Sequence, residues 1–256
     1  PTLFSGGEVL LGLYGYCIQI YCDFSGYSDM AIGIALLLGF KIPMNFNAPL
    51  TADSMTDFWR RWNISLSTWI RDYVYISLGG NKKGTLRMYF NQMVAMTACG
   101  LWHGASLNFI VWGVLHGALV CVHKFWSQTV MKHDRRYHPS GLRRFISVFI
   151  TFHVLCFTWL FFRCKDFDAV WVMVKQMFTK FNPSVLPDVF MGYKYVFLLM
   201  IFALLTHWIP DSWQNRCVRI LEKGGVLLSA IAITIVIFII MQVKSSDIQP
   251  FIYFQF

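Results

Sequence analysis

The chain alternates long apolar stretches with short polar, mostly basic ones. A membrane helix needs about 20 mostly apolar residues. Three stretches read as spans: 145–162 (FISVFITFHVLCFTWLFF), 193–209 (YKYVFLLMIFALLTHWI) and 225–243 (GVLLSAIAITIVIFIIMQV). Residues 88–123 are too long for one span and read as two segments meeting near Gly100 to Ala105, where glycines interrupt the run. The opening 8–40 is also too long; the polar patch CDFSGYSD interrupts it, and Gly26 is expected to break or bend the helix there. DFDAVWVMVKQMFTKF (166–181) has apolar residues at helical spacing and predicts a helix lying on one membrane surface. The two prolines and two asparagines of GFKIPMNFNAPL (39–50) fit a re-entrant or cytoplasmic loop. The expected fold is all-α: a polytopic transmembrane helix bundle with re-entrant and interfacial helices, forming a single membrane domain over 1–256.

Within this greasy background, FWRRWNISLSTWIRDYVYISLGG (58–80) is different. Ser54 and Asp57 stand at capping-box spacing and predict a helix start, and Gly79 and Gly80 predict its end. At 100° per residue, Phe58, Trp59, Trp62, Leu66, Trp69, Ile70 and Tyr73 form one stripe, with Arg60, Ser67 and Arg71 on an adjacent face. Asn63 sits on the border between them. Two readings fit: an interfacial helix with an aromatic belt and arginines at the headgroups, or the wall of a passage.

Composition agrees with the bilayer as solvent. Of 256 residues, 56% are hydrophobic and 14% charged, against about 25% charged in an average soluble domain; the mean hydropathy is +0.51. The net charge of +9 does not signal nucleic acid, because the basic residues gather in short loops between apolar runs. Arg60, Arg61, Arg71, Lys82, Lys83 and Arg87 precede residue 88. Lys124, Lys132, Arg135, Arg136, Arg143 and Arg144 follow residue 123, and Arg216, Arg219 and Lys223 lie in a loop over 210–223. The positive-inside bias makes all three loops cytoplasmic. Seven cysteines, an odd number without CxxC spacing, read as small core residues and not as a disulfide frame or zinc site. His116 and His123 share a helical face but lack a third ligand at suitable spacing, so no metal site is expected.

The candidate chemistry lies in GLWHGASLNFIVWGVLHG (100–117). His103 sits deep in an apolar run beside Trp102 and Gly104. An ionisable residue at membrane depth is a functional candidate, and a neutral imidazole can accept a proton. A core histidine hydrogen-bonded across helices would also fit. Upstream, YCDFSGYSD (21–29) places Asp23 in an apolar context, either as a tunnel wall or partner to the arginines at 60–71, or within an internal polar network.

The runs QIYCDFSGYSDMAIG, NFNAPL, FWRRWNISLSTWIRDYVYISLGGN and GLWHGASLNFIVWGVLHG resemble the membrane-bound O-acyltransferase (MBOAT) family, densely over residues 18–126. They resemble most its bacterial branch of alginate O-acetyltransferases and teichoic-acid D-alanyl transfer proteins; FTWLFFRCKDFDAVWVMVKQMF looks like the same branch. Family members are longer, with spans before this region, and the chain starts at Pro1, so it is expected to be a C-terminal portion. The resemblance implies a multi-pass protein of a bacterial cytoplasmic (inner) membrane that moves a short acyl group, acetyl by preference, to an extracytoplasmic polysaccharide hydroxyl. The donor would be acetyl-CoA or an acyl carrier protein thioester. It implies His103 as catalytic residue, with Asn63 at the second polar position, where the alginate enzymes usually carry histidine. Arg60, Arg61 and Arg71, with Trp102 and Asp23, become substrate-binding candidates. An extracytoplasmic acyltransferase and the polysaccharide machinery become expected partners. D-alanyl transfer to teichoic acid and a non-catalytic role in polymer export or transport are the alternatives.

Overall fold

The computed structural model describes residues 3–132, 134 and 137–243; Arg135 and Arg136 of the second basic loop lie outside them. The described residues are helical, with one isolated β-bridge between Phe46 and Trp62. Two compact units divide the chain, Pro1–Leu204 and Leu205–Phe256.

In the first unit, α1 (Gly6–Leu37) begins with a capping box: Ser5 Oγ accepts from Glu8 N and Glu8 Oε2 accepts from Ser5 N. It buries Val9, Leu13, Cys17 and Ile20, spaced three to four residues apart as one helix face requires. The helix runs unbroken through Gly26, correcting the expected interruption. The polar patch is carried on the helix surface, where Asp23 and Asp29 are exposed and need no break in the backbone.

The segment 54–80 does start where its capping residues predict: Ser54 Oγ accepts from Asp57 N and α2 (Met55–Arg61) follows. It is not one helix. Asn63 adopts a left-handed conformation (φ 43°) and separates α2 from α3 (Ile64–Ile70), which continues into a π turn at Arg71–Tyr75. The cause is distant in sequence. Backbone of 45–47 pairs with the break, as Asn47 N donates to Arg61 O and Ile64 N donates to Asn45 O. The predicted aromatic stripe is therefore divided: Phe58, Trp62 and Ile70 are buried, while Trp69 and Tyr73 are exposed.

Helices α4 (Thr85–Trp102) and α5 (Leu107–Phe125) form the expected hairpin, turning at 103–106. A Cβ on Gly100 would lie 2.3 Å from the Phe109 carbonyl oxygen, and one on Gly113 would lie 2.5 Å from that of Met96. The backbones thus touch. Close backbone packing through small residues is how helices associate in lipid, where apolar burial gives little preference for protein neighbours. Then come α6 (Gly141–Thr158), α7 (Leu160–Arg163) and α8 (Phe167–Thr179). After these, α9 (Leu186–Gly192) precedes α10 (Lys194–Thr206). Residues 193–209 do not make the single span expected: α10 is 13 residues, about 20 Å at 1.5 Å per residue. It meets the preceding Pro183–Gly192 segment at 84°.

In the second unit, α11 covers Asp211–Val243 with non-helical dihedrals at Gly225. Residues 211–224, read above as a loop from their charges, are helical; Gln214, Arg216, Leu221, Glu222 and Lys223 are all good helix formers. Among the described residues three helical stretches are long and apolar enough to cross a membrane: Leu107–Val130, Gly141–Arg163 and Ser212–Gln242.

Candidate active site

The turn between α4 and α5 presents His103. The histidine caps the end of α4, and Gly104 follows with φ 146°. Ser106 then starts α5 by accepting from Asn108 N, and Asn108 Nδ2 donates to Cys164 O at 2.9 Å, tying the turn to the end of α7. His103 is half-buried. Its ring lies edge-on to Trp102, Trp112 and Phe162, at centroid distances of 4.9, 5.3 and 4.9 Å. Trp102 itself is 53% exposed.

Asn63 is buried at the α2–α3 break. The left-handed conformation there is one that asparagine tolerates better than most residues. The neighbouring Trp62 reaches His103 through a ring relay: Trp62 to Trp159 at 5.3 Å, Trp159 to Phe162 at 5.0 Å, and Phe162 to His103. One aromatic cluster thus carries both positions.

His116 belongs to the same cluster but has a different job. It is fully buried; Trp59 Nε1–H donates to its Nδ1 at 3.2 Å, and its Nε2 lies 2.9 Å from Thr158 Oγ1. An indole N–H can only donate, so Nδ1 accepts. The Thr158 hydroxyl donates to Leu155 O, so Nε2 carries the proton and donates to Thr158. Both nitrogens are engaged, leaving no lone pair for proton transfer. His116 pins α2, α5 and α6 together.

A cavity of about 370 Å³ opens among α2, α3, α4 and α5. Arg60, Arg71, His123, Lys124 and one carboxylate, Asp134, line its polar part, and Ile70, Met88, Ala95, Met96, Cys99 and Val120 its apolar part. Cys99 stands one helical turn before His103 on α4, so the apolar wall rises towards the histidine, which does not itself line the cavity. Arg60, Ser67 and Arg71, placed on one face by the sequence, do converge there. Arg71 is paired with Asp72 at 2.7 Å on the surface, and this hydrogen bond holds the Asp72 carboxyl below the usual carboxylate range. Lys124 donates to Gln92 Oε1 at 2.7 Å, and His123 Nδ1 meets Thr56 Oγ1 at 2.9 Å.

Two of the sequence candidates are placed elsewhere. Arg61 is bound by Asp57 at 2.8 Å, one helical turn away, and by Asn47 O, which turns it from the cavity. Asp23 is exposed on α1 and joins no ion pair among the described residues, while Arg61 and Arg71 pair with carboxylates close to them in sequence. Conversely, sequence reasoning missed Lys124 and His123 as cavity residues. Their position at the end of α5 would have placed them beside Thr56 and Arg60 only if α2 were known to pack on α5. One group, Asp53, Asp57 and His138, has ligand atoms within 4.8 Å of one another. Asp57 is engaged by Arg61, and Asp53 by His138 at 2.7 Å.

These features define a helical, multi-pass membrane protein with a basic cavity leading towards a histidine in an aromatic wall. The model of the membrane-bound O-acyltransferase family matches residues 9–162, and the chain belongs to that family. It is similar to the probable alginate O-acetylase AlgI of Pseudomonas aeruginosa, with 43% identity over 68% of this chain and 32% of that protein. It is similar to the peptidoglycan O-acetyltransferase of Helicobacter pylori, with 42% identity over 63% of this chain and 30% of that protein. The teichoic acid D-alanyltransferase of Bacillus subtilis is 34% identical over 62% of this chain and 42% of its own length. The matched region spans about a third of the length of the alginate O-acetylases of Azotobacter vinelandii and P. aeruginosa, 33% and 32%.

Proposed function

We propose that this chain forms the acyl-transfer region of a membrane O-acyltransferase, taking a short acyl group, acetyl by preference, from a cytoplasmic thioester to a polysaccharide hydroxyl across the membrane. The observation that carries the proposal is the cavity with Arg60, Arg71 and Lys124 at its polar end and an apolar wall that ends one turn below His103. Arg60 and Arg71, with Lys124, suit the phosphates of coenzyme A or of a carrier protein's phosphopantetheine, since guanidinium groups bind phosphate through paired N–H donors. The acyl arm would follow the apolar wall past Met96 and Cys99.

His103 takes the proton of the attacking hydroxyl as the new ester bond forms, and the thiolate leaves with the electrons of the broken thioester bond. General-base assistance of this kind supplies about 10²–10⁴-fold. Asn63, which cannot act as a base, donates an N–H to the developing oxyanion or orients the histidine. The 39–50 loop and the bent α9–α10 pair are the re-entrant elements of this reading, and α8 is its interfacial helix. By the positive-inside bias the basic cavity faces the cytoplasm of a bacterial inner membrane. An extracytoplasmic acyltransferase that relays the group is the fitting partner.

The test offers labelled acetyl-CoA, acetyl carrier protein and D-alanyl carrier protein to the full-length protein in vesicles. Transfer of acetyl to polysaccharide hydroxyls is expected. Transfer of D-alanine alone would replace the acetyl assignment, and no transfer from any thioester would overturn the proposal.

A further inference from the structure

The wall along α4 changes chemistry at His103. Below it, the α4 side of the donor cavity is Met88, Ala95 and Met96. At the histidine the neighbours are rings. The centroids of Trp102, Trp112 and Phe162 lie 4.9, 5.3 and 4.9 Å from that of the imidazole, with their planes at 80°, 88° and 78° to it. Trp112 and Phe162 are also close to perpendicular to each other, at 74° and 4.8 Å.

Two of these rings are fixed in place. Trp112 is 1% exposed and Phe162 is 7% exposed. A buried indole N–H usually finds an acceptor. That of Trp112 has none among the described residues, so what this side chain presents to its neighbours is its ring. Phe162 lies on α7, and Asn108 Nδ2 donates to Cys164 O just beyond it. Asn108 is buried at the start of α5, beside the turn that carries His103. One hydrogen bond therefore ties the helix of the phenyl ring to the turn of the histidine.

In the acyl transfer proposed above, on which this inference rests, His103 takes a proton and becomes an imidazolium. A cation formed away from water is costly unless other groups replace its hydration. The face of an aromatic ring carries negative charge, and edge-to-face packing sets the perimeter of one ring, where an imidazolium carries its N–H groups, against the face of another. A cation within about 6 Å of a ring centroid is attracted to that face, and all three rings are inside this distance. Aliphatic side chains of the same volume would exclude water equally well and offer the charge nothing. We propose that Phe162 and Trp112 form a π cage that stabilises the imidazolium of His103 while the hydroxyl proton is being transferred. The proton passes from the hydroxyl oxygen to a ring nitrogen and later leaves with the thiolate; the cage itself exchanges no atoms or electrons. Its effect runs through the histidine, so Phe162 and Trp112 are positioning residues.

The experiment places phenylalanines bearing one, two or three ring fluorines at position 162 of the full-length protein and measures thioester-dependent acyl transfer in vesicles. Fluorine withdraws charge from the face of the ring with little change of shape, so packing is kept. The logarithm of kcat is expected to fall in steps with the number of fluorines, reaching about a 10-fold loss with three, the scale of one desolvated cation–π contact. Donor KM and melting temperature should stay as in the wild type. Phe162→Leu, which keeps an apolar side chain and removes the π system, should lose about as much in kcat. Phe161, buried beside it and packed on Phe167 at 5.9 Å, is the control, and the same fluorines there should leave kcat unchanged. A series at position 162 that is flat or rises with fluorine, or equal losses at 161 and 162, would overturn the cage and leave the acyl-transfer reading standing. Wild-type transfer by His103→Ala would overturn that reading and the cage with it.

Discussion

Gly100→Ala probes whether contact between α4 and α5 sets the position of His103. The added Cβ would sit 2.3 Å from the Phe109 carbonyl oxygen, where ordinary contact begins at 3.4 Å. The deficit is about 1.1 Å, and the obstacle is backbone on a packed helix, which cannot rotate aside as a side chain can. The helices must separate by about 1 Å three residues before the histidine. Overpacking of this kind costs about 1–3 kcal/mol, and a 1 Å misplacement of a catalytic group costs on the order of 10²-fold in rate. The assay is thioester-dependent acyl transfer by the full-length protein, alongside thermal unfolding in detergent. Gly33→Ala, where a Cβ meets nothing within 4 Å, is the control and should leave transfer unchanged. If Gly100→Ala transfers at the wild-type rate with unaltered stability, backbone contact at this level does not fix the turn and the reasoning fails.

Three further outcomes are expected. His116→Ala should lower unfolding stability by about 3 kcal/mol or more, because it removes the imidazole from the half-buried Trp59 N–H and the buried Thr158 hydroxyl and opens a void; an unchanged melting temperature would contradict the bridging role. Arg60→Ala with Arg71→Ala should raise the KM for coenzyme A thioester about 10- to 100-fold, the scale of one or two charged hydrogen bonds, with a smaller effect in high salt; an unchanged KM would remove these arginines from donor binding. Asn63→Gly keeps the left-handed backbone, which glycine adopts freely, and removes only the amide. Transfer should fall about 10²-fold or more if that amide faces the oxyanion, and near-normal transfer would reduce Asn63 to a backbone role.

Much of the helical plan was legible because it is local. The glycines at 100 and 104 interrupt an apolar run, so the α4–α5 turn shows in the sequence; Ser54 announces α2 through its own side chain; the 166–181 periodicity becomes α8. What stayed hidden depends on partners far along the chain. The break at Asn63 is made by the backbone of 45–47, and no periodicity within 54–80 reveals it. The role of His116 depends on Trp59 and Thr158, 57 and 42 positions away. Arg60 and Arg71 could be placed on one face by helical spacing, but Lys124 and His123 join them only through the packing of α2 on α5. The charges of 211–224 suggested a loop, and their side chains favour helix just as readily.

In the proposed reaction His103 is the group that takes the hydroxyl proton. The most direct test of that role is the acyl-transfer rate of full-length His103→Ala at saturating thioester, in protein that expresses and binds donor as the wild type does. A loss of about 10²–10⁴-fold in kcat, with donor KM little changed, is the result expected of a missing general base. Transfer within a few-fold of the wild type would show that the proton leaves by another route.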